Sequence, residues 1–106
     1  FFCETVGAFL LVFVLLMLAV RENAPEIGLG TLGAFPVTFL IMAIGMSLGG
    51  ATGYAINPAR DLPPRIAHYL LPIKGKGTSG WGYSWVPVFG PIVGAGVAAC
   101  IYLCIF

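Results

Sequence analysis

The stretch Thr52-Gly-Tyr-Ala-Ile-Asn-Pro-Ala-Arg-Asp-Leu-Pro-Pro-Arg65 interrupts a chain that otherwise consists of long apolar runs. Asn57 is a strong N-cap residue, because its side-chain oxygen accepts from one of the backbone N–H groups left free at a helix start. Pro58 suits the first helical position, where its missing N–H costs nothing. The stretch therefore predicts a helix that starts at Asn57, with glycine-rich, extended backbone before it.

The apolar segments on both sides of this stretch are long enough to cross a membrane. A helix rises 1.5 Å per residue and needs about 20 apolar residues to cross a hydrocarbon core about 30 Å thick. The predicted spans are 1–20, 32–48 and 86–106, with a re-entrant loop at 49–57 and a half-helix at 58–70. That half-helix is only ~20 Å long, too short to span. The predicted fold is an all-α membrane protein with three transmembrane helices and one re-entrant half-helix.

Composition also places the chain in a lipid bilayer. Hydrophobic residues make up 59% of the 106 residues and charged residues 8%, whereas a soluble domain is about 25% charged. The net charge of +1 gives a nucleic-acid partner no electrostatic support. Cys100 and Cys104 share a helix face without a nearby His or carboxylate, so packing is favoured over metal binding. We expect no metal and no cofactor.

Small residues spaced four apart leave two helix faces nearly bare of side chains. Gly45 and Gly49 follow this spacing in the second segment, and Gly90, Gly94 and Ala98 follow it in the last. Such faces favour close helix packing. At Gly45, the missing side chain offers an alternative, which is open space for a ligand.

The predicted re-entrant loop has consequences for transport. Irregular backbone at membrane depth survives only inside protein or along a watery cavity, so we expect the carbonyls of Gly53, Tyr54 and Ala55 to line a pore. The half-helix would put the positive end of its dipole near the membrane midplane, and Asn57 would point its NH2 donors into the lumen. Arg60 would add a permanent positive charge. Water or a neutral hydroxyl-bearing solute can make hydrogen bonds to these carbonyls and donors. Cations and protons are repelled by the positive charge of Arg60 and the helix dipole.

Each charged residue near this pore also has a purely structural interpretation. Arg60 would pair with Asp61 or snorkel to the interface, and Asp61 would brace a loop or complement the helix dipole. Glu4 would either accept N–H groups from the irregular stretch or lie at the interface as an ordinary glutamate. His68 is expected to face the aqueous mouth as a polar residue rather than act as a pH gate.

The motif Asn57-Pro58-Ala59-Arg60-Asp61, with Gly53-Tyr54 before it and Pro64-Arg65 after it, resembles the second Asn-Pro-Ala motif of the aquaporin family. The resemblance extends over the whole chain, including Phe89-Gly90-Pro91-Ile92-Val93-Gly94 in the last segment. It is to the C-terminal half of the bacterial glycerol facilitators, the aquaglyceroporin branch.

Several positions resemble the glycerol branch rather than the water-selective one. They are Asp61 after the arginine, Arg65 four residues later, Pro87-Val88 near the start of the last span, and Gly45 in place of a pore-narrowing histidine. The resemblance implies that Gly45, Tyr54 and Arg60 form the selectivity filter. It also implies that Glu4 braces the re-entrant loop. Pro63 departs from the pattern, since glycine is common there, and it predicts a kinked half-helix.

The resemblance implies a passive channel for glycerol and related small polyols, with some water, that excludes ions and protons and is not an enzyme. The fold would be the second repeat of an inverted-repeat protein, so we expect a fragment that needs an N-terminal repeat to close a pore. The family's properties imply a homotetramer in the bacterial inner membrane, with the Asn57 loop outside and segment 21–26 inside. A water-selective aquaporin, a secondary transporter with broken helices and a structural membrane protein are the alternatives.

Overall fold

A computed structural model of the chain describes residues 1–20 and 32–106. Within these two ranges the chain is helical and has no β-strand. The helices are α1 (Phe2–Leu18), α2 (Phe35–Thr52), α3 (Pro58–Leu70) and α4 (Trp85–Ile105). The polar segment 21–26, predicted to be a loop on the inner side, lies outside the described residues. α1 packs against both α4 and α2, and α3 packs against α4.

Two of these helices are long and apolar enough to cross a membrane. They are α2, with 18 residues, and α4, with 21 residues. α1 is also apolar but has 17 residues, which is about 25 Å of helix. α3 has 13 residues and carries the polar side chains of the chain's central motif. The described part of the chain is therefore an all-helical unit of membrane character.

The second apolar helix is longer than the sequence predicts. The sequence predicts extended backbone from Gly49 onward, but α2 continues to Thr52 and ends at Gly53, which has a φ of +71°. The prediction is therefore wrong for residues 49–52. Glycine costs a helix about 1 kcal/mol relative to alanine. That cost is offset here because the ring of Tyr54 packs where a side chain on Gly49 would lie.

The closest approach between helices joins α1 to α4. Gly90, Gly94 and Ala98 are buried along one face of α4. A Cβ added at Gly94 would overlap the backbone carbonyl oxygen of Thr5, and one added at Gly90 would lie 2.9 Å from the Cβ of Glu4. Small residues permit such backbone contact. The close packing predicted for this face is confirmed.

Large apolar side chains remain exposed on the outside of the unit. Phe35, Phe39, Met42 and Met46 on α2 each expose more than half of their surface. The accessible surface is 6868 Å², whereas a compact monomer of 11.2 kDa would expose about 5,700 Å². An apolar surface of this extent is normally covered by lipid or by further protein.

Candidate functional site

The loop between α2 and α3 holds an unusual backbone conformation. Gly53 has a φ of +71°, and the non-glycine residues Tyr54 and Ile56 have φ values of +44° and +45°. Positive φ is rare for residues with a side chain, and for a β-branched residue such as Ile56 it is a genuine outlier. Each such residue costs of order 1–3 kcal/mol and persists only where its surroundings enforce it. Something must therefore hold this loop in place.

The side chain of Glu4 supplies that restraint. Its Oε1 accepts from the N–H of Ala55 at 3.0 Å, and its Oε2 accepts from the N–H of Ile56 at 2.6 Å. Glu4 is fully buried in the first turn of α1. A buried carboxylate is tolerated when hydrogen bonds replace its lost hydration. These contacts fit the loop-bracing interpretation rather than the interfacial one.

The N–H bonds to Glu4 leave the loop carbonyls available as acceptors. Nη1 of Arg60 donates to the carbonyl of Tyr54 across 3.4 Å. Among the described residues, no donor binds the carbonyl of Gly53 or that of Ala55. The loop thus presents acceptor groups at three consecutive residues, two of them without a partner in the described part of the chain.

The end of the loop is fixed by the helix start at Asn57. Its Oδ1 accepts from the N–H of Ala59 at 2.8 Å, and Pro58 occupies the first turn of α3. The side-chain NH2 of Asn57 has no partner among the described residues. One side chain therefore caps the helix with its oxygen and keeps two donors free.

Gly45, Tyr54 and Arg60, which belong to α2, the loop and α3 in turn, lie close together. The Tyr54 ring lies against Gly45, where an added Cβ would be 3.2 Å from its Cζ. The guanidinium of Arg60 lies over the same ring, 5.2 Å from its centroid. Gly45 and Tyr54 also border a cavity of about 470 Å³. The space left by the missing side chain at Gly45 is thus partly filled by Tyr54 and not wholly open.

Arg60 does not form an ion pair with its neighbour Asp61, because Asp61 is paired with Arg65. In residues 1–20 and 32–106 the only ion pair joins Arg65 to Asp61, with Nη2 to Oδ2 at 2.7 Å. Nε of Arg65 also donates to Asp61, and its Nη1 donates to the carbonyls of Ser79 and Gly80. The Arg60–Asp61 pair considered from sequence is therefore wrong. The hydrogen bonds from Arg65 to Asp61 bridge the turn that contains Pro63 and Pro64. The helix lacks two backbone N–H donors at these prolines.

Lys76, in the loop after α3, has a structural role that the sequence analysis did not predict. Nζ of Lys76 donates to the carbonyls of His68, Tyr69 and Leu71, each at 2.8 Å. These carbonyls lie at the C-terminal end of α3, where a cation complements the helix dipole. His68 contacts Ser79 Oγ at 2.8 Å and the Lys76 carbonyl at 3.1 Å. The available signal was a cationic residue shortly after a helix end.

A cavity beside α3 has a mostly polar lining that includes charged side chains. This cavity of about 340 Å³ is lined by Arg60, Asp61, Arg65, His68, Thr78 and Ser79. Partial burial raises the pKa of the Tyr83 phenol from 10.0, and the Glu4 and Asp61 carboxylates act in the same direction, whereas Arg65 opposes them. Tyr83 thus stays neutral over the physiological pH range.

Pro87 is buried and Val88 half-buried in α4, and neither lines this cavity or the one beside Gly45.

Replacing Arg65 with lysine is expected to loosen the loop after α3. Lysine lacks the planar fork that binds Asp61 and two carbonyls together, so we expect a loss of about 1–2 kcal/mol of stability. The measurement is the thermal unfolding midpoint in detergent, together with the rate of tryptic cleavage after Lys76. The exposed exchange Lys74→Arg is the control. Equal cleavage rates for both variants would contradict the role given to Arg65.

Comparison with known proteins places these features in a family. The sequence model of the family described as Major intrinsic protein matches residues 1–102. The chain is 55% identical over 104 residues to "Glycerol uptake facilitator protein 3" of Lactiplantibacillus plantarum, covering 96% of this chain and 40% of the relative. It is 58% identical over 99 residues to "Glycerol uptake facilitator protein" of Bacillus subtilis, covering 93% and 34%.

A third relative, "Glycerol uptake facilitator protein" of Streptococcus pneumoniae, is 48% identical over 99 residues, with coverage of 93% of this chain and 40% of the relative. The chain thus spans 34–40% of the length of these relatives. No solved structure gives a significant match. Because the family match covers nearly the whole chain and the relatives agree with it, this chain belongs to the major intrinsic protein family.

Proposed function

We propose that this chain is the C-terminal repeat of a passive channel for glycerol and related small neutral polyols, with some water. The observation that carries the proposal is the guanidinium of Arg60, which lies over the Tyr54 ring and has no ion-pair partner among the described residues. It is accompanied by the carbonyls of Gly53 and Ala55 and the NH2 of Asn57, which bind no partner in that part of the chain. Three relatives named as glycerol uptake facilitators support the choice of solute. The activity is transport, without chemical conversion of the solute.

The arrangement separates neutral solutes from ions by hydrogen bonding and charge. A polyol has hydroxyls that donate to the carbonyls of Gly53 and Ala55 and accept from Arg60 and Asn57, while its carbon chain lies along the Tyr54 ring. A cation finds acceptors too, but it meets the charge of Arg60 and the positive end of the α3 dipole. Asp61 does not cancel that charge, because it is bound to Arg65. The wall therefore favours uncharged hydroxyl-bearing solutes.

In the proposed topology α1, α2 and α4 span the membrane, and α3 with the loop at 53–57 forms a re-entrant half-span. This unit is the second half of an inverted repeat, and an N-terminal repeat completes the pore. The exposed apolar faces described above support that proposal, since they need lipid or protein against them. A homotetramer in the bacterial cytoplasmic membrane is the assembly that we propose from family membership.

The test is solute flux through the complete protein in proteoliposomes. Stopped-flow light scattering reports glycerol and water flux, and a trapped pH dye reports proton leak. We expect Arg60→Leu to reduce glycerol flux and to raise cation and proton leak about tenfold, since each ~1.4 kcal/mol removed from a barrier is tenfold in rate. Lys74→Leu removes an exposed charge from the loop after α3 and is the matched control.

Each outcome of this test assigns a different function. Wild-type flux of water without glycerol would indicate a water-selective aquaporin. Glycerol uptake that depends on an ion gradient would indicate a secondary transporter. Flux no faster than in empty liposomes would contradict the channel proposal altogether.

A further inference from the structure

Two glycines of α2 form a flat strip on which the Tyr54 ring lies. An added Cβ at Gly49 would be 2.8 Å from Cδ1 of the ring and 3.7 Å from Cγ, and one at Gly45 would be 3.2 Å from Cζ. The root of the ring therefore lies over Gly49 and its hydroxyl end over Gly45. The resemblance to the family drew attention to Gly45 alone, but the closer contact is at Gly49.

Further contacts hold the Tyr54 ring in its position on this strip. The Arg60 guanidinium lies over the ring, 5.2 Å from the ring centroid. The backbone of Tyr54 is anchored as well, because its carbonyl accepts from Arg60 and the next N–H is bound to Glu4. The ring is thus held by contacts with α2 and Arg60, and its distance from α2 depends on the absence of side chains at Gly45 and Gly49.

We propose that Gly49 is a specificity-determining position that sets how far the Tyr54 ring stands from α2, and so how large a polyol passes through the cavity that Gly45 and Tyr54 border. This inference rests on the proposed channel function. A methyl group at Gly49 has to move the ring from 2.8 Å to the ordinary contact range of 3.4–4 Å. The displacement is directed away from α2 and changes how far the ring projects into that cavity. Gly49 acts through Tyr54 and does not itself touch the solute.

The test compares Gly49→Ala with Gly50→Ala in the complete protein. Gly50 is the next residue of the same helix, and a Cβ there would meet nothing within 4 Å. Proteoliposome flux is measured for water, glycerol and a five-carbon polyol. We expect Gly49→Ala to lower the glycerol flux about tenfold relative to Gly50→Ala, as one misplaced methylene in a tight pocket does, and the five-carbon polyol more still. Water flux should change much less.

A second substitution separates this role from general damage to the helix. Adding Tyr54→Leu to Gly49→Ala removes the ring and should restore glycerol flux, whereas damage to packing elsewhere would not be rescued. Equal flux in the Gly49→Ala and Gly50→Ala variants would overturn the proposal. So would a loss of water and glycerol flux by the same factor.

The thermal unfolding midpoint tests the contact between Gly49 and Tyr54 without relying on channel activity. We expect Gly49→Ala to lower the midpoint when Tyr54 is present and to leave it unchanged in the Tyr54→Leu background. If the wild type conducts no polyol, the proposed function fails, and this coupling alone decides whether Gly49 supports the ring. Additive effects of the two substitutions would then overturn the inference.

Discussion

Replacement of Gly94 with alanine is expected to force α1 and α4 apart and to lower stability by at least ~3 kcal/mol, the upper range for overpacking a rigid core. The added Cβ would overlap the carbonyl oxygen of Thr5 and lie 2.9 Å from the N of Phe9. Both are backbone atoms of α1, so no side chain can rotate away. The measurement is the thermal unfolding midpoint in detergent, with size-exclusion chromatography to detect aggregation.

Gly96→Ala is the matched control for this effect. Gly96 lies two residues further along α4, and a Cβ there would meet nothing within 4 Å. Alanine is the better helix former by about 1 kcal/mol, so this variant should be neutral or slightly stabilised. If both variants unfold at the wild-type temperature, the backbone contact described for α1 and α4 is wrong.

Replacement of Glu4 with alanine is expected to cost about 3–6 kcal/mol, because hydrogen bonds to a charged group contribute about 1.5–3 kcal/mol each and two are lost. The N–H groups of Ala55 and Ile56 would be left without their acceptor beside a backbone that already has unfavourable φ values. The loop should then leave its conformation. Unfolding midpoints measure the loss of stability, and proteoliposome flux measures the loss of the loop geometry.

Two further variants show whether the charge or the volume of Glu4 matters. Glu4→Gln keeps the shape and one acceptor but turns an NH2 group toward the second N–H donor, so an intermediate loss is expected. Thr5→Val changes the next residue, whose hydroxyl is buried without a partner in the described part of the chain, and should be neutral. A Glu4→Gln protein as stable as the wild type would contradict the role of two charge-assisted bonds.

Local chemistry explains why the start of α3 was predictable from sequence. An asparagine cap followed by proline acts within one turn, and α3 occupies the residues 58–70 at which the sequence predicts the half-helix. The small-residue face of α4 was predictable for the same reason, since Gly90, Gly94 and Ala98 follow one another at intervals of four residues within a single helix. Pro63 and Pro64 lie inside α3, which continues through them with the fork from Asp61 to Arg65 across them.

Contacts that depend on the direction of a side chain were beyond sequence reasoning. The end of α2 depends on a ring five residues beyond Gly49, and glycine spacing alone gave no reason to extend the helix. The choice between Arg60 and Arg65 as partner of Asp61 depends on side-chain direction around the helix. Lys76 reaches back over α3 from a loop whose composition indicated only exposure to water. The roles of Gly45, Tyr54 and Arg60 in selecting a solute stay predictions.

The contact between α1 and α4 also constrains the order in which this unit can assemble. The first and last helices of the described chain pack together, and Glu4 binds N–H groups 51 and 52 residues further along. During synthesis α1 leaves the ribosome long before either partner exists, so the Glu4 carboxylate must wait without the N–H donors of the loop. Contacts of such long sequence separation form late. The packing of α1 against α4 therefore forms only after α4, the last helix of the described chain, has been made and closes over Glu4.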